Sequence, residues 1–320
     1  MLSAMNNAII GATGFVGTNL LAQHTFAERF NSRNIAELHG KRFDMVVCAA
    51  APATMWAANK DPEGDLRNIQ SLISHLERVE TDRFVLISTI AVLADAAAMA
   101  DENTTDFETI KGYGRNRRYL EQALAAVFQN LHIVRLPALY GIGLKKNFIF
   151  DISNPVPSFL TIEKYNELLD RLPPPLATLL KTSFDLVADL GMYRCDRTRL
   201  GAGDRSQLER GLFDLGFTAL SFTNADSTFQ YYGLSRLWAD IGIVVSNDVP
   251  LVHLAPEPLR AAEVYQALKG SSFSERSVAP YHENMCTRHA QLWNNSGRYI
   301  QDAQSVLRDL IQFHNALPKS

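Results

Sequence analysis

The sequence predicts an α/β fold: a Rossmann-like doubly wound parallel sheet with a smaller, interleaved C-terminal domain. Three observations predict it. Short apolar runs alternate with helical patterns through the first half of the chain. Those runs are continuous instead of alternating, as in strands covered on both faces. A glycine cluster joins the first run to the first helix.

In order, Ala8-Ile9-Ile10 is the first strand, and Val16, Leu20, Leu21 and Phe26 mark the helix after it. The second strand ends at Phe30-Asn31-Ser32-Arg33, leaving room for one or two helical turns before the next run, Asp44-Met45-Val46-Val47-Cys48-Ala49-Ala50. Residues 61–79 place Leu66, Ile69, Leu72, Ile73 and Leu76 at helical spacing. Phe84-Val85-Leu86-Ile87-Ser88, a helix over 113–128, and His132-Ile133-Val134-Arg135-Leu136 complete the alternation. The second half loses this rhythm. Leu172-Pro173-Pro174-Pro175 ends a helix, and the charged, glycine-bearing stretch 194–205 predicts a mobile loop before a helix over 206–215. Residues 234–245 read as helix, 249–254 as a strand, and 264–268 and 304–313 as amphipathic helices. Because strands recur late, residues 1–150 form one domain and 151–320 the other, with part of the latter, near 217–268, returning to the sheet.

Composition excludes several classes. The 320 residues are 47% hydrophobic and 20% charged, and 31 Lys plus Arg against 34 Asp plus Glu give a net charge of −3. No basic field exists for nucleic acid or anionic lipid. No apolar run reaches the ~18 residues that cross a bilayer, and the first residues lack the regions of a signal peptide. Three scattered cysteines, Cys48, Cys195 and Cys286, fit a reducing compartment. The expectation is a cytoplasmic protein without a nucleic-acid or membrane partner.

Gly11-Ala12-Thr13-Gly14-Phe15-Val16-Gly17 lies between strand and helix. Gly11 permits a tight turn, Gly14 lets the backbone approach a pyrophosphate, and Gly17 lets helix and strand pack closely. Free N–H groups at the helix start then face anionic phosphates. A bare structural turn is the competing reading.

GATGFVG resembles the GxxGxxG fingerprint of extended, or closely related atypical, short-chain dehydrogenases/reductases, the NAD(P)-dependent epimerase/dehydratase family. Further motifs resemble it in order: Cys48-Ala49-Ala50-Ala51, Asp61-Pro62 with Asn68-Ile69, Val85-Leu86-Ile87-Ser88-Thr89, Tyr113-Gly114-Arg115-Asn116-Arg117, and Val134-Arg135-Leu136-Pro137 with Tyr140-Gly141. The resemblance covers about residues 5–150 and thins afterwards. It implies NAD(P)-dependent oxidation, reduction or epimerisation at a carbinol or ketone carbon of a nucleotide-linked sugar, and a homodimer through the helices over 61–79 and 113–128. It implies a cofactor site at Gly11, Thr13, Gly14, Phe15, Val16, Gly17, Asn31, Ser32, Arg33, Ala49, Ala50, Ala51, Asn68, Leu136 and Pro137. Thr89 would hold the reacting oxygen and Tyr113 pass the proton, with Arg117 four residues on and on the same helix face.

Two departures matter. Arg117 stands where the family has Lys; it keeps the charge but does not release its proton. Intact chemistry, a rearranged site, and a non-catalytic NAD(P)-binding sensor or scaffold therefore stay open. Near residues 31–33 no carboxylate awaits a ribose 2′-hydroxyl, and Ser32 with Arg33 suits a 2′-phosphate, so NADP(H) is preferred over NAD(H). Trp56, beyond the third strand run, and Asn147, which resembles the Asn-Phe of deoxysugar 4-keto reductases, are candidate substrate contacts, with core packing and solvated loop as alternatives. His282, Glu283, Cys286 and His289 lack metal-ligand spacing and are read as structural, and no metal is expected.

Overall fold

The computed structural model describes residues 6–188 and 190–317. The chain divides into two compact units: one takes residues up to Gly143 with Thr228–Leu259 and His282–Phe313, the other Leu144–Ser227, Arg260–Tyr281 and the segment from His314.

In the first unit the chain runs β1 (Asn7–Ile10), α1 (Phe15–Leu21), β2 (Glu28–Phe30), β3 (Arg42–Cys48), α2 (Met55–Lys60), α3 (Pro62–Leu76), β4 (Glu80–Thr89), α4 (Gly112–Val127), β5 (Leu131–Leu136) and β6 (Ala138–Tyr140). Among the described residues, the central sheet has six strands in the order β2, β1, β3, β4, β5 and the strand Leu251–His253, every neighbouring pair parallel. Between β2 and β3 the chain makes one short helical turn, Ile35–Leu38. The strand order therefore reverses between β1 and β3, and ligands of such sheets bind at the carboxyl ends of the strands at that reversal.

Successive strand residues point to opposite faces, which explains the continuous apolar runs. Ile9, Met45, Val47, Val85, Ile87 and Val134 pack with Leu20 of α1 and with Leu237, Ile241 and Val244 of the helix Leu237–Ser246. Ala8, Ile10, Val46, Cys48, Phe84 and Leu86 face α3 and α4 through Ile69, Leu72, Leu76, Leu120 and Leu124. Burial pushes the Cys48 thiol up to about 12, so it is inert packing.

The same unit holds a buried carboxyl. Glu283 Oε2 accepts from Gln230 N–H at 3.0 Å, and burial pushes the acid up to about 7 from the ordinary 4.5. The folded state then keeps a proton that the unfolded chain has lost, so this group's stability is fully present below 4.5 and falls as pH rises through about 7. Glu283→Gln is expected to remove that fall, a gain at pH 8 relative to wild type of up to about 3 kcal/mol. Denaturant midpoints on either side of neutrality measure it.

The second unit contains α5 (Phe148–Ser153), β7 (Phe159–Thr161), α6 (Ile162–Arg171), α7 (Pro174–Ser183), β8 (Phe184–Val187), β9 (Met192–Cys195) and α8 (Ala202–Asp214). Its antiparallel sheet, in the order β7, β9, β8, packs with Tyr165, Leu168, Leu180, Leu208 and Leu212. Pro173 ends the run after α6, and Pro174 starts α7 at the position where a missing N–H costs nothing. The stretch 194–205, expected as a mobile loop, is instead the end of β9, a helical turn Arg197–Arg199 and the start of α8. Its charges are satisfied locally: Asp196 caps the turn at Thr198 N–H (3.1 Å), Arg199 pairs with Asp185 at 2.7 Å, and Arg197 donates to Val156 O at 2.6 Å.

Candidate active site

The glycine turn closes the carboxyl end of β1. Gly11 and Ala12 both donate to Phe30 O (2.8 and 3.1 Å), which sets the end of β2 against the turn. Gly11 adopts φ +89°, and a Cβ there would lie 2.5 Å from Ala49 O; a Cβ on Gly17 would lie 2.1 Å from Gly11 O. These two glycines are required by the protein itself. Gly14 differs: it is the N-cap of α1 with ordinary extended dihedrals, and only Gly11 O, at 3.3 Å, would neighbour a Cβ. Thr13 and Gly14 are exposed and Phe15 and Val16 half-buried, so the helix start presents its backbone outward.

Around that turn stand the other residues expected to meet a dinucleotide. Asn31 organises the exit of β2: its Oδ1 accepts from Arg33 N–H at 2.9 Å, leaving Ser32 and Arg33 exposed at the tip. Ala49, Ala50 and Ala51 follow β3 and are half-buried, Ala49 N–H donating to Ile10 O at 2.8 Å. Leu136 is the register partner of Thr89, and both Leu136 and Pro137 are buried. Asn68 is exposed on α3, and Asp65 is a buried polar residue of the same helix. Trp56 is 40% exposed on α2, directly beyond the crevice strands. Asn147 belongs to the second unit, where its Oδ1 caps α5 at Phe150 N–H (3.3 Å) and its backbone holds φ +86°.

Thr89 and Tyr113 meet. Thr89 ends β4, near enough to Tyr113 for its hydroxyl to favour the phenolate, while Thr89 Oγ1 accepts from Ala91 N–H at 3.2 Å. Tyr113 stands in the first turn of α4, with its N–H donating to Asn59 Oδ1 of α2 at 2.9 Å. The neighbouring Ser88 is committed elsewhere: its Oγ donates to Glu121 at 2.6 Å. Glu121 is also held by Arg135 through Nε at 2.9 Å and Nη2 at 2.6 Å, and by Arg118 Nη1 at 2.9 Å.

Arg117 lies under this pair. Its guanidinium sits 4.3 Å from the centre of the Tyr113 ring, Nη1 donates to Asp65 Oδ2 at 2.5 Å, and Nη2 donates to Pro52 O of the β3 exit loop. Asp65 also accepts from Asn116 Nδ2 at 2.9 Å. Arg117 and Asp65 are only 3% and 5% exposed, yet Arg117 Nε is buried without a hydrogen-bond partner. Burial, reinforced by Asp65, holds the Tyr113 phenol above its ordinary value despite Arg117 and Thr89, which act in the opposite direction. A dinucleotide in this crevice would meet the outward-facing backbone of Thr13 and Gly14 and the exposed Ser32 and Arg33.

Asp65 and Glu121 are the site residues that motif reading misses. Both carry a visible signal: each is an acid within a buried helical stripe, Asp65 with Ile69, Leu72 and Leu76, Glu121 with Leu120 and Leu124. Among the described residues no three His, Cys, Asp or Glu side chains converge as a metal site, and no helix is long and apolar enough to cross a membrane.

Residues 8–155 match the model of the NAD dependent epimerase/dehydratase family, the segment over which the motifs carry their resemblance. Among solved structures, the chain is similar to dTDP-4-dehydrorhamnose reductase from Bacillus anthracis str. Ames in complex with NADP, with 13% identity, coverage of 97% of this chain and 98% of that one, and TM-score 0.61. It is also similar to UDP-N-acetylglucosamine 4-epimerase from Methanobrevibacter ruminantium M1 in complex with UDP-N-acetylmuramic acid, with 10% identity, 97% of each chain and TM-score 0.60. A third is MoeE5 in complex with UDP-glucose and NAD, with 13% identity, 97% of this chain, 98% of that one and TM-score 0.56. No curated protein matches the sequence. At these identities the solved structures establish the Rossmann-like fold.

Proposed function

From the family match over residues 8–155, we propose that this chain is an NAD(P)-dependent enzyme acting at a carbinol or ketone carbon of a nucleotide-linked sugar. The observation that carries the reading is the spacing of two features in one unit. The glycine turn ends β1, the Thr89–Tyr113 pair stands at the end of β4, and only β3 lies between them, a separation of about 10 Å that an extended dinucleotide spans. Nucleotide-sugar ligands in the similar structures support the substrate class.

Each residue then has a task. Backbone N–H groups from Gly14 to Gly17 hold the pyrophosphate, and Ser32 with Arg33 receives a ribose 2′-phosphate, favouring NADP(H) over NAD(H). Ala49, Ala50 and Ala51 give the dinucleotide a low wall, with Leu136 and Pro137 beside Thr89. The nicotinamide, when bound, supplies or accepts the hydride. Thr89 holds the substrate oxygen, Tyr113 moves its proton, and Trp56 contacts the sugar or its nucleotide. The assembly is a homodimer through α3 and α4, which light scattering checks. Free, buried Cys48, Cys195 and Cys286 support a cytoplasmic location, to be checked by cell fractionation.

Gly14→Ala tests the reading, because only one protein atom, Gly11 O at 3.3 Å, would crowd that methyl group, far less than at Gly11 or Gly17. The variant is expected to keep its denaturation midpoint and lose about tenfold or more in NADPH affinity, at least about 1.4 kcal/mol. Unchanged affinity, or wild-type protein that binds neither NADPH nor NADH in titration, would leave the glycine loop a structural turn.

A further inference from the structure

We propose that Asp65 is a positioning residue: by tying Arg117 across the ring face of Tyr113 and offsetting part of its charge, it helps to keep Tyr113 a proton donor, so that the site works toward carbonyl reduction. The step rests on the enzymatic reading above and goes beyond it by assigning a direction.

The geometry is that of a cation spent elsewhere. A positive charge lowers a phenol's affinity for its proton when it stands near the oxygen with no counter-charge. Arg117 has its counter-charge at 2.5 Å and lies over the ring at 4.3 Å from the centre. The pair is almost wholly buried, so water does not weaken the cancellation. The charged and polar groups acting on Tyr113 are Arg117 from its own helix, Asp65 from α3 and Thr89 from β4. Burial outweighs Arg117 and Thr89, which favour the phenolate; the Arg117 charge is the stronger of the ion pair at this oxygen, and Asp65 offsets it in part.

A protonated Tyr113 can give but not take. In reduction its Oη passes the proton to the carbonyl oxygen; the C=O π pair becomes the new O–H bond, and the carbon accepts hydride from the reduced nicotinamide, which is oxidised. The Tyr113 phenolate then regains a proton from water. Oxidation of a carbinol, which is also the opening step of an epimerisation, needs the phenolate at the outset. That form is scarce at neutral pH, so oxidation should gain about tenfold per pH unit while reduction stays flat.

Tyrosinate absorbance tests this without cofactor or substrate. The difference titration of wild type against Tyr113→Phe isolates this phenol, and no ionisation is expected below about pH 10. Asp65→Asn is expected to bring the midpoint down by about one pH unit or more, and Asp65→Glu to restore it. A wild-type midpoint below about pH 8, or an Asp65→Asn midpoint that does not move, overturns the proposal. Asp65→Asn strands a buried guanidinium and can unfold the chain; the double variant Asp65→Asn/Arg117→Gln removes both charges. Its midpoint is expected at or above the wild-type value, and a midpoint as low as that of Asp65→Asn would show that the Arg117 charge does not act on Tyr113 and overturn the proposal. A failed titration alongside intact NADPH binding sinks this step alone; lost NADPH binding sinks the enzymatic reading.

Discussion

Tyr113→Phe is expected to lower turnover of a nucleotide-linked keto sugar by about 10²–10⁴-fold while NADPH affinity stays at the wild-type value. The substitution removes one oxygen from a side chain whose ring remains packed over Arg117, so the cation and its Asp65 partner keep their places. Thr89 retains its contact with Ala91 N–H. What disappears is the group that moves the proton. The loss should appear in kcat more than in KM, because the oxygen acts on charge developing in the transition state. Steady-state rates and a cofactor fluorescence titration measure the two quantities. A variant with wild-type turnover would remove Tyr113 from the chemistry. A wild-type protein that binds NADPH but turns over no keto sugar would favour the sensor or scaffold.

Sheet and cofactor turn were legible because their signals are local. A strand buried on both faces writes a continuous apolar run, as Met45-Val46-Val47-Cys48 does, and Gly11 and Gly17 are forced by contacts with the neighbouring backbone. The short link between β2 and β3 was legible too, since the few residues between Phe30 and Arg42 have room only for a helical turn or two. Long-range pairings were not. Asp65 and Arg117 are 52 residues apart, and no periodicity in one sequence announces which arginine will meet which carboxylate. Motif reading singled out Asn68, which is exposed, and passed over Asp65, which lies in the buried arc of α3 with Ile69, Leu72 and Leu76. Helical phase, applied to polar as well as apolar residues, would have chosen Asp65. The stretch 194–205 misled for a related reason: charge density reads as solvated loop unless the partners, here Asp185 and Val156 O, are known.

Glu121→Gln should be the most destabilising single change near the site, about 3–5 kcal/mol, read from denaturant midpoints. Glu121 and Arg135 are both 0% exposed and joined by two hydrogen bonds, so removing the carboxylate charge leaves a guanidinium stranded in the sheet. Among the described residues, Arg135 forms no ion pair with another acid. Its Nη1 faces His253 Nε2 at 3.1 Å, and with His253 Nδ1 against Cys286 O at 2.9 Å that ring is neutral, giving its Nδ1 proton to the carbonyl and accepting from Arg135. Burial lowers the His253 proton affinity further, so it cannot supply a counter-charge. The double variant Glu121→Leu/Arg135→Met removes both charges at similar volume and should recover much of the loss, because a buried pair is costly chiefly when broken. Burial raises the Glu121 acid, but Arg135, Ser88 and Arg118 together hold it below the ordinary glutamate value. The sign follows: this stability is present above pH 4.5 and drains as pH falls through the folded-state value. Function should follow stability here. Tyr113, Arg117 and Glu121 repeat every four residues along one face of α4, and Glu121 pins that face to β5 about 12 Å from Tyr113. In Glu121→Gln protein still folded at neutral pH, a looser α4 should lower kcat through Tyr113 while cofactor binding at the glycine turn, on the far side of β3, is spared. Equal losses in both would mean that the pair supports the whole sheet and not the placement of one helix.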